Sequence, residues 1–298
     1  MIDASEGSPV TRPSSSETVL LLVHGAWHSA SHWTSTQRAL ARHGVASVAV
    51  DLPGSGLGAP VPSGYFLPGQ PGFASEKSAL HGVTMQDSVD VVLDALGNAR
   101  TRYRNVVLVA HSAGGSAASG AAEQAPELVD RLVYLSSFVP AGRPRFADYI
   151  EAEQNAGAVR IPPVGDPAEL GAIRINPLSA DPAVTEGIRR AFLSDLPAGS
   201  PDSWRQFLHP DLPFANFTTP VPVSAARWGR IPRAYLRLTD DLALPPATQD
   251  LMIAEADLLT PENPFRVHSL PGGHSPFATR PDELAATLTA VALDRSGR

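Results

Sequence analysis

Cysteine is absent from the 298 residues, which rules out disulfides, thiolate nucleophiles and cysteine-ligated metal and leaves the redox compartment open. A surplus of positive charge is missing too: 23 Lys and Arg stand against 30 Asp and Glu, a formal charge of -7. Nothing electrostatic therefore favours nucleic acid or an anionic membrane as a partner. Long apolar runs are lacking, since TVLLLV and NVVLVA fall far short of the roughly 20 residues a membrane helix needs. The opening stretch MIDASEGSPVTRPSSS has no basic segment followed by an apolar one. A polar, disordered leader over 1–16 and a cytoplasmic location are the expectation, not secretion. Nor is there a P-loop or a dinucleotide fingerprint, because GSGLGAP does not open a helix after the first strand.

What is present is 43% hydrophobic content, enough for the one large core of a single α/β domain. Proline, 29 residues of 298, is about twice the usual ~5% and is spread through connecting segments, as long ordered loops require. Short β-branched runs alternate with amphipathic ones. TVLLLVHG leads into the helical pattern SHWTSTQRALARHG, which Gly44 stops. VASVAVDLP follows as a strand, then a Gly/Pro-rich loop from about Gly54 to Gly82. A helix is predicted from Met85, with Thr84 and Asp87 in its cap. NVVLVAH, a helix of small residues and DRLVYLSSFVP continue the rhythm, which predicts a mostly parallel, doubly wound sheet covered on both faces. Between about Ala141 and Arg230 it breaks into a Pro-, Ala- and Asp-rich stretch carrying Tyr149, Phe192, Phe214 and Phe217. It resumes at IPRAYLRLTDD. Residues 17–140 and 231–298 thus read as the core, and 141–230 as a helical lid inserted above the sheet's carboxyl edge, where α/β proteins bind ligands.

Small residues crowd VAHSAGGSAASG, Val109 to Gly120. A strand turning sharply into a helix brings two backbones together, so side chains there must be nearly absent. AHSAG is the nucleophile elbow G-x-S-x-G with Ala110 at the first glycine, and its tip is Ser112. A serine hydroxyl needs a histidine base and an acid that orients it. His274, in PGGHSPF just past the last strand, supplies the base; LRLTDD, ending the preceding strand, offers Asp240 and Asp241. The order Ser, Asp, His is that of α/β-hydrolases. The oxyanion donors expected are the N–H of Ala113, after the serine, and that of Ala26, in the loop VHGAWHSASHW where Gly25 permits a tight turn.

LLVHGAWHSASHW, AHSAGG, LVYLSSFVP, RLTDDLALP and GGHSPF together resemble the α/β-hydrolase fold, in the branch of plant methylesterases, hydroxynitrile lyases and bacterial esterases. The likeness runs from about Thr18 to the last helix and is loose in the insertion. It implies that the acid lies four residues before a proline, which selects Asp241 over Asp240, and that the oxyanion donors are Ala26 and Ala113. The lyases of that branch carry a threonine after the first-loop histidine and a lysine after the catalytic one. Gly25 and Ser275 stand there in this chain, so the resemblance implies ester hydrolysis.

His24, His28 and His32 recur every four residues, but Gly25 and the turn before Ser31 argue against one helix spanning them, and no metal site is expected. Trp27, His111, Trp204, Phe207 and Trp228 are the candidates for lining an apolar pocket, and His111, beside the nucleophile, reads as an elbow packing residue rather than a base because neighbouring residues on a strand point apart. The expectation is a serine hydrolase without metal or cofactor, cleaving a methyl ester, aryl ester or lactone of a small apolar molecule. A lyase or cyclase using the same histidine as base, or a small-molecule receptor with little turnover, are the other classes this fold hosts.

Overall fold

The first strand, β1 (Thr18–Val23), is buried at every position because both of its faces are covered. Val19, Leu21 and Val23 enter one core, and Leu20 and Leu22 enter another. The computed structural model describes residues 17–197, 205 and 208–294; the leader expected over 1–16, Trp204 and Phe207 lie outside them. After β1 come α1 (Thr34–Arg42), β2 (Ala46–Val50), the irregular Gly/Pro-rich loop, and α2 (Met85–Arg100). The last opens with a reciprocal cap: Asp87 N–H donates to Thr84 Oγ1 (3.2 Å) and Thr84 N–H to Asp87 Oδ2 (2.7 Å). There follow β3 (Asn105–His111), α3 (Gly114–Gln124) and β4 (Arg131–Leu135).

Between β4 and the next strand of the main sheet the chain forms α4 (Phe146–Ile150), α5 (Pro167–Leu170), β5 (Ala172–Arg174), α6 (Pro182–Phe192), β6 (Asp211–Pro213) and α7 (Phe214–Thr218). It closes with β7 (Arg233–Leu238), α8 (Pro246–Leu259), β8 (Arg266–Leu270), α9 (Pro276–Thr279) and α10 (Pro281–Leu293). The main sheet has six strands in the order β2-β1-β3-β4-β7-β8, every pair parallel. Residues of α1 and α10 pack on one face, and residues of α2, α3 and α8 on the other. From β1 the chain winds to β2 on one side and then crosses back to β3 on the other. Their carboxyl ends therefore flank a topological switch point, where a crevice opens. Among the described residues no helix is long and apolar enough to cross a membrane.

The antiparallel pair β5-β6 was not legible in the sequence, since strands of three residues are too short to show an alternation. The segment containing it has a small core of its own, built from Ile175, Ile188, Ala191, Phe192, Leu193 and Leu208. It is tied to the Gly/Pro-rich loop by Arg174, which is fully buried. This guanidinium donates to both carboxylate oxygens of Asp211 (2.6 and 2.8 Å) and to the carbonyls of Phe73 and Glu76. Removing one partner of a buried pair strands the other charge away from water. Arg174→Ala is therefore expected to cost about 3–5 kcal/mol in urea denaturation, with Arg174→Met combined with Asp211→Leu recovering most of it. A loss below about 1 kcal/mol in the single variant would contradict a stabilising role for the pair.

Candidate active site

Ser112 sits between the end of β3 and the start of α3 at φ 51, a left-handed conformation that a residue with a β-carbon rarely adopts. The turn is held on both sides. Its N–H donates to the Leu135 carbonyl (3.3 Å), and its carbonyl accepts from the N–H groups of Gly115 and Phe138 (3.1 Å each) and from Ser137 Oγ (2.8 Å). The crowd of small residues follows from the same approach. A β-carbon at Gly114 would lie 2.3 Å from the His24 carbonyl oxygen, and one at Gly115 2.1 Å from that of Phe138. At Gly25 it would lie 2.6 Å from Ser112 Cβ. Main chain from the ends of β1 and β4 thus presses on the elbow.

The structure brings Ser112, His274 and Asp241 together. His274 Nδ1–H donates to Asp241 Oδ2 at 2.6 Å; a carboxylate only accepts, so this fixes the tautomer and leaves Nε2 to accept from Ser112 Oγ–H at 2.9 Å. Asp241 Oδ1 accepts from the N–H groups of Ala243 and Leu244 (2.8 Å each), and Ser136 Oγ donates to Oδ2 at 2.6 Å. All three side chains are buried. Asp240 faces away: it accepts from the Gly272 N–H and from Thr239 Oγ1 (2.9 Å each), bonds that hold its carboxyl below the usual carboxylate range. It braces the loop that carries His274 and makes no bond to the imidazole.

The loop after β1 is shaped by its histidines. A carbonyl only accepts, so His24 Nδ1–H donates to the Gly25 carbonyl (2.8 Å), and its Nε2 accepts from Leu52 N–H (3.1 Å). The Gly25 carbonyl and the Ala26 N–H share one planar trans peptide, so holding the first fixes the direction of the second. His28 Nδ1–H holds the next carbonyl, Ala26, at 2.7 Å. Among the described residues neither the Ala26 nor the Ala113 N–H has a protein acceptor. His111 is fully buried behind the elbow, with Nε2–H donating to the His274 carbonyl (2.9 Å) and its ring against those of His28, His274 and Phe277. It packs the site from below and does not line the pocket.

Above Ser112 lies a cavity of about 500 Å³, lined by Trp27, Phe138, Phe146, Phe192, Phe214 and Phe217 among others. Trp27 is held on this wall by its indole N–H, which donates to the Ile173 carbonyl at 3.0 Å. Trp228 is not. It is fully buried in the main core, where Nε1–H donates to Tyr134 Oη (2.8 Å) and the Arg233 guanidinium stacks 4.0 Å over the ring. The reason is topological: to start a parallel strand, the chain must first return to the sheet's amino edge, and Trp228 precedes β7 there. Of the phenylalanines that do face the cavity, Phe192, Phe214 and Phe217 were visible only as aromatics of an irregular segment. Ser136 and Ser137 also escaped the sequence reading, because LVYLSSFVP looks like a strand end and nothing more.

Burial holds His24 and His32 down to about 4, and His28 and His111 well below their ordinary 6.5, with neighbouring histidines adding to the effect. Unfolded, these rings take up protons near 6.5; folded, they do not until far lower pH. Their contribution to stability is complete above 6.5 and is lost as the pH falls toward 4, at up to about 1.4 kcal/mol per pH unit for each ring. Urea denaturation near neutrality and at about pH 5 should show that loss. Equal stability at the two pH values would contradict four neutral buried rings.

The comparisons with known proteins agree with this architecture. The chain is 28% identical over 276 residues to the pyrethroid hydrolase of Sphingobium wenxiniae, covering 92% of this chain and 88% of that one. It is 24% identical over 272 residues to the putative chloroplastic methylesterase 12 of Arabidopsis thaliana, covering 91% and 71%. Among solved structures, a pyrethroid hydrolase from Sphingobium faniae superposes with a TM-score of 0.69 at 27% identity, over 92% of this chain and 97% of that one. An Arabidopsis methylesterase superposes at 0.64 with 21% identity, over 92% and 98%, a likeness of fold. Residues 20–287, nearly all of the described chain, match the model of the alpha/beta hydrolase family, and to that family the protein belongs.

Proposed function

We propose that this protein is a serine hydrolase that cleaves carboxylic esters with bulky apolar acid or alcohol parts. The observation that carries the reading is the chain of hydrogen bonds from Ser112 Oγ through His274 to Asp241, set at the floor of an apolar cavity. The names of the relatives, a pyrethroid hydrolase and a methylesterase, support hydrolysis.

His274 Nε2 takes the proton of Ser112 Oγ as that oxygen attacks the ester carbonyl, and Asp241 stabilises the imidazolium that results. The N–H groups of Ala26 and Ala113 receive the tetrahedral oxyanion; a donor so placed is typically worth about 3 kcal/mol to the transition state. The imidazolium returns its proton to the departing alkoxide, leaving an acyl-serine. Water, deprotonated by the same nitrogen, then releases the acid.

The substrate class follows from the walls. A cavity of about 500 Å³ is in the range, roughly 300–1,000 Å³, that encloses drug-sized ligands. The polar side chains on its wall are largely engaged: Asn155 donates to the Ile150 carbonyl and accepts from Thr248 Oγ1, and Arg160 donates to the same carbonyl. Phe146, Phe192, Phe214 and Phe217 come from the segment between β4 and β7, which on this reading is a lid, within 141–230, that shapes the pocket and excludes water.

Two outcomes are expected in steady-state assays of p-nitrophenyl esters. The octanoate should exceed the acetate in kcat/KM, because its chain fills the aromatic wall. Ser112→Ala should lose turnover on the order of a millionfold, as deleting the serine of a hydrolase triad does. Retention of more than a few per cent by that variant, with loss in His274→Ala, would replace the hydrolase reading by one in which the histidine alone acts as base.

A further inference from the structure

We propose that Ser136 is a positioning residue for the Ser112 reaction: its hydroxyl anchors the Asp241 carboxylate in the orientation that fixes and tunes His274. The inference rests on the hydrolase reading above and extends it by one residue.

Ser136 follows β4 directly. It is fully buried at φ 36, in the left-handed region where a β-carbon is strained. Its N–H still donates to the Leu236 carbonyl at 2.9 Å, continuing the ladder toward β7. The strained turn serves two successive hydroxyls. Ser137 Oγ donates to the Ser112 carbonyl at 2.8 Å, and Ser136 Oγ donates to Asp241 Oδ2 at 2.6 Å. Glycine would fit this backbone more easily, so a strained serine here is held for its hydroxyl.

Asp241 Oδ2 is the oxygen that also receives His274 Nδ1–H at 2.6 Å. The backbone donors of Ala243 and Leu244 both go to Oδ1. Ser136 is thus the second donor on the oxygen that matters for the imidazole. Without it, Oδ2 carries more unshared charge and the carboxyl group is freer to turn. Both changes act on His274: more charge on Oδ2 raises its affinity for a proton, and a looser carboxylate misaligns Nε2 toward Ser112.

The other titratable groups around the Asp241–His274 pair are engaged elsewhere. From β7, Tyr235 donates its hydroxyl to the Ser137 carbonyl (2.9 Å) and is held protonated by burial. From β3, His111 is neutral and bonds the His274 carbonyl. From the first loop, His28 is neutral and bonds the Ala26 carbonyl. Asp240 is turned to Gly272 and Thr239.

The test compares Ser136→Gly and Ser136→Ala with the parent and with Ser112→Ala, by pH profiles of kcat and kcat/KM on p-nitrophenyl butyrate and by thermal denaturation. Glycine relieves the backbone and removes only the hydroxymethyl group, so a merely structural role predicts normal kinetics for Ser136→Gly. The proposal predicts that both Ser136 variants lose about tenfold in kcat with KM within about twofold. The acid limb of kcat/KM should move up by about half a pH unit or more, with the melting temperature of Ser136→Gly unchanged or raised. Parental kcat and an unmoved acid limb in Ser136→Gly, while Ser112→Ala is dead, would overturn the proposal and leave the hydrolase reading standing. Full turnover by Ser112→Ala would overturn both.

Discussion

Main chain from three strand ends meets at Ser112 with no room for another β-carbon. Gly25 from the loop after β1 lies against Ser112, Gly114 at the start of α3 against the His24 carbonyl, and Gly115 against the Phe138 carbonyl. This close approach is what the rest of the site depends on. It holds Ser112 at φ 51 and sets Ser112 and Ala26 on the wall of the cavity. The sheet order β2-β1-β3-β4-β7-β8 makes it possible, because the switch of winding between β1 and β3 opens the crevice where these turns converge.

Around that contact the site is supported by groups that bind water or protons readily elsewhere and are denied both here. Neutral rings of His24 and His28 hold the two carbonyls that flank Ala26, His111 holds the carbonyl of His274, and Asp241 is saturated by four donors. Such a buried polar network is costly if partly satisfied and rigid when complete. The His24, His28, His32 series that on one α-helix would line up as metal ligands instead runs through a turn into a short 3-10 helix (Ala30–Trp33), and each ring bonds the loop's own backbone.

What was legible in the sequence is what short-range geometry dictates. A strand-to-helix turn needs small residues whatever surrounds it, so AHSAGG and HGA announced the elbow and the first loop, and continuous apolar strands announced a buried parallel sheet. Strand ends pointed to His274 and narrowed the acid to two neighbours, between which the family resemblance chose Asp241; in the structure Asp241 meets the imidazole and Asp240 braces the Gly272 turn. The segment between β4 and β7 was opaque because its elements are three to eleven residues long, and which aromatics face the cavity is decided by contacts distant in sequence. Trp228 shows the limit most clearly: it belongs to that segment by composition, yet it lies under the sheet's amino end because a parallel strand must begin there.

The central claim is that Ser112 is a nucleophile activated by His274. Labelling with an active-site-directed fluorophosphonate, followed by peptide mass spectrometry, tests it directly and needs no knowledge of the natural ester. The account predicts one covalent adduct per chain, on the peptide containing Ser112, with its rate sharply reduced in His274→Ala. No adduct, or an adduct confined to another residue, would contradict it.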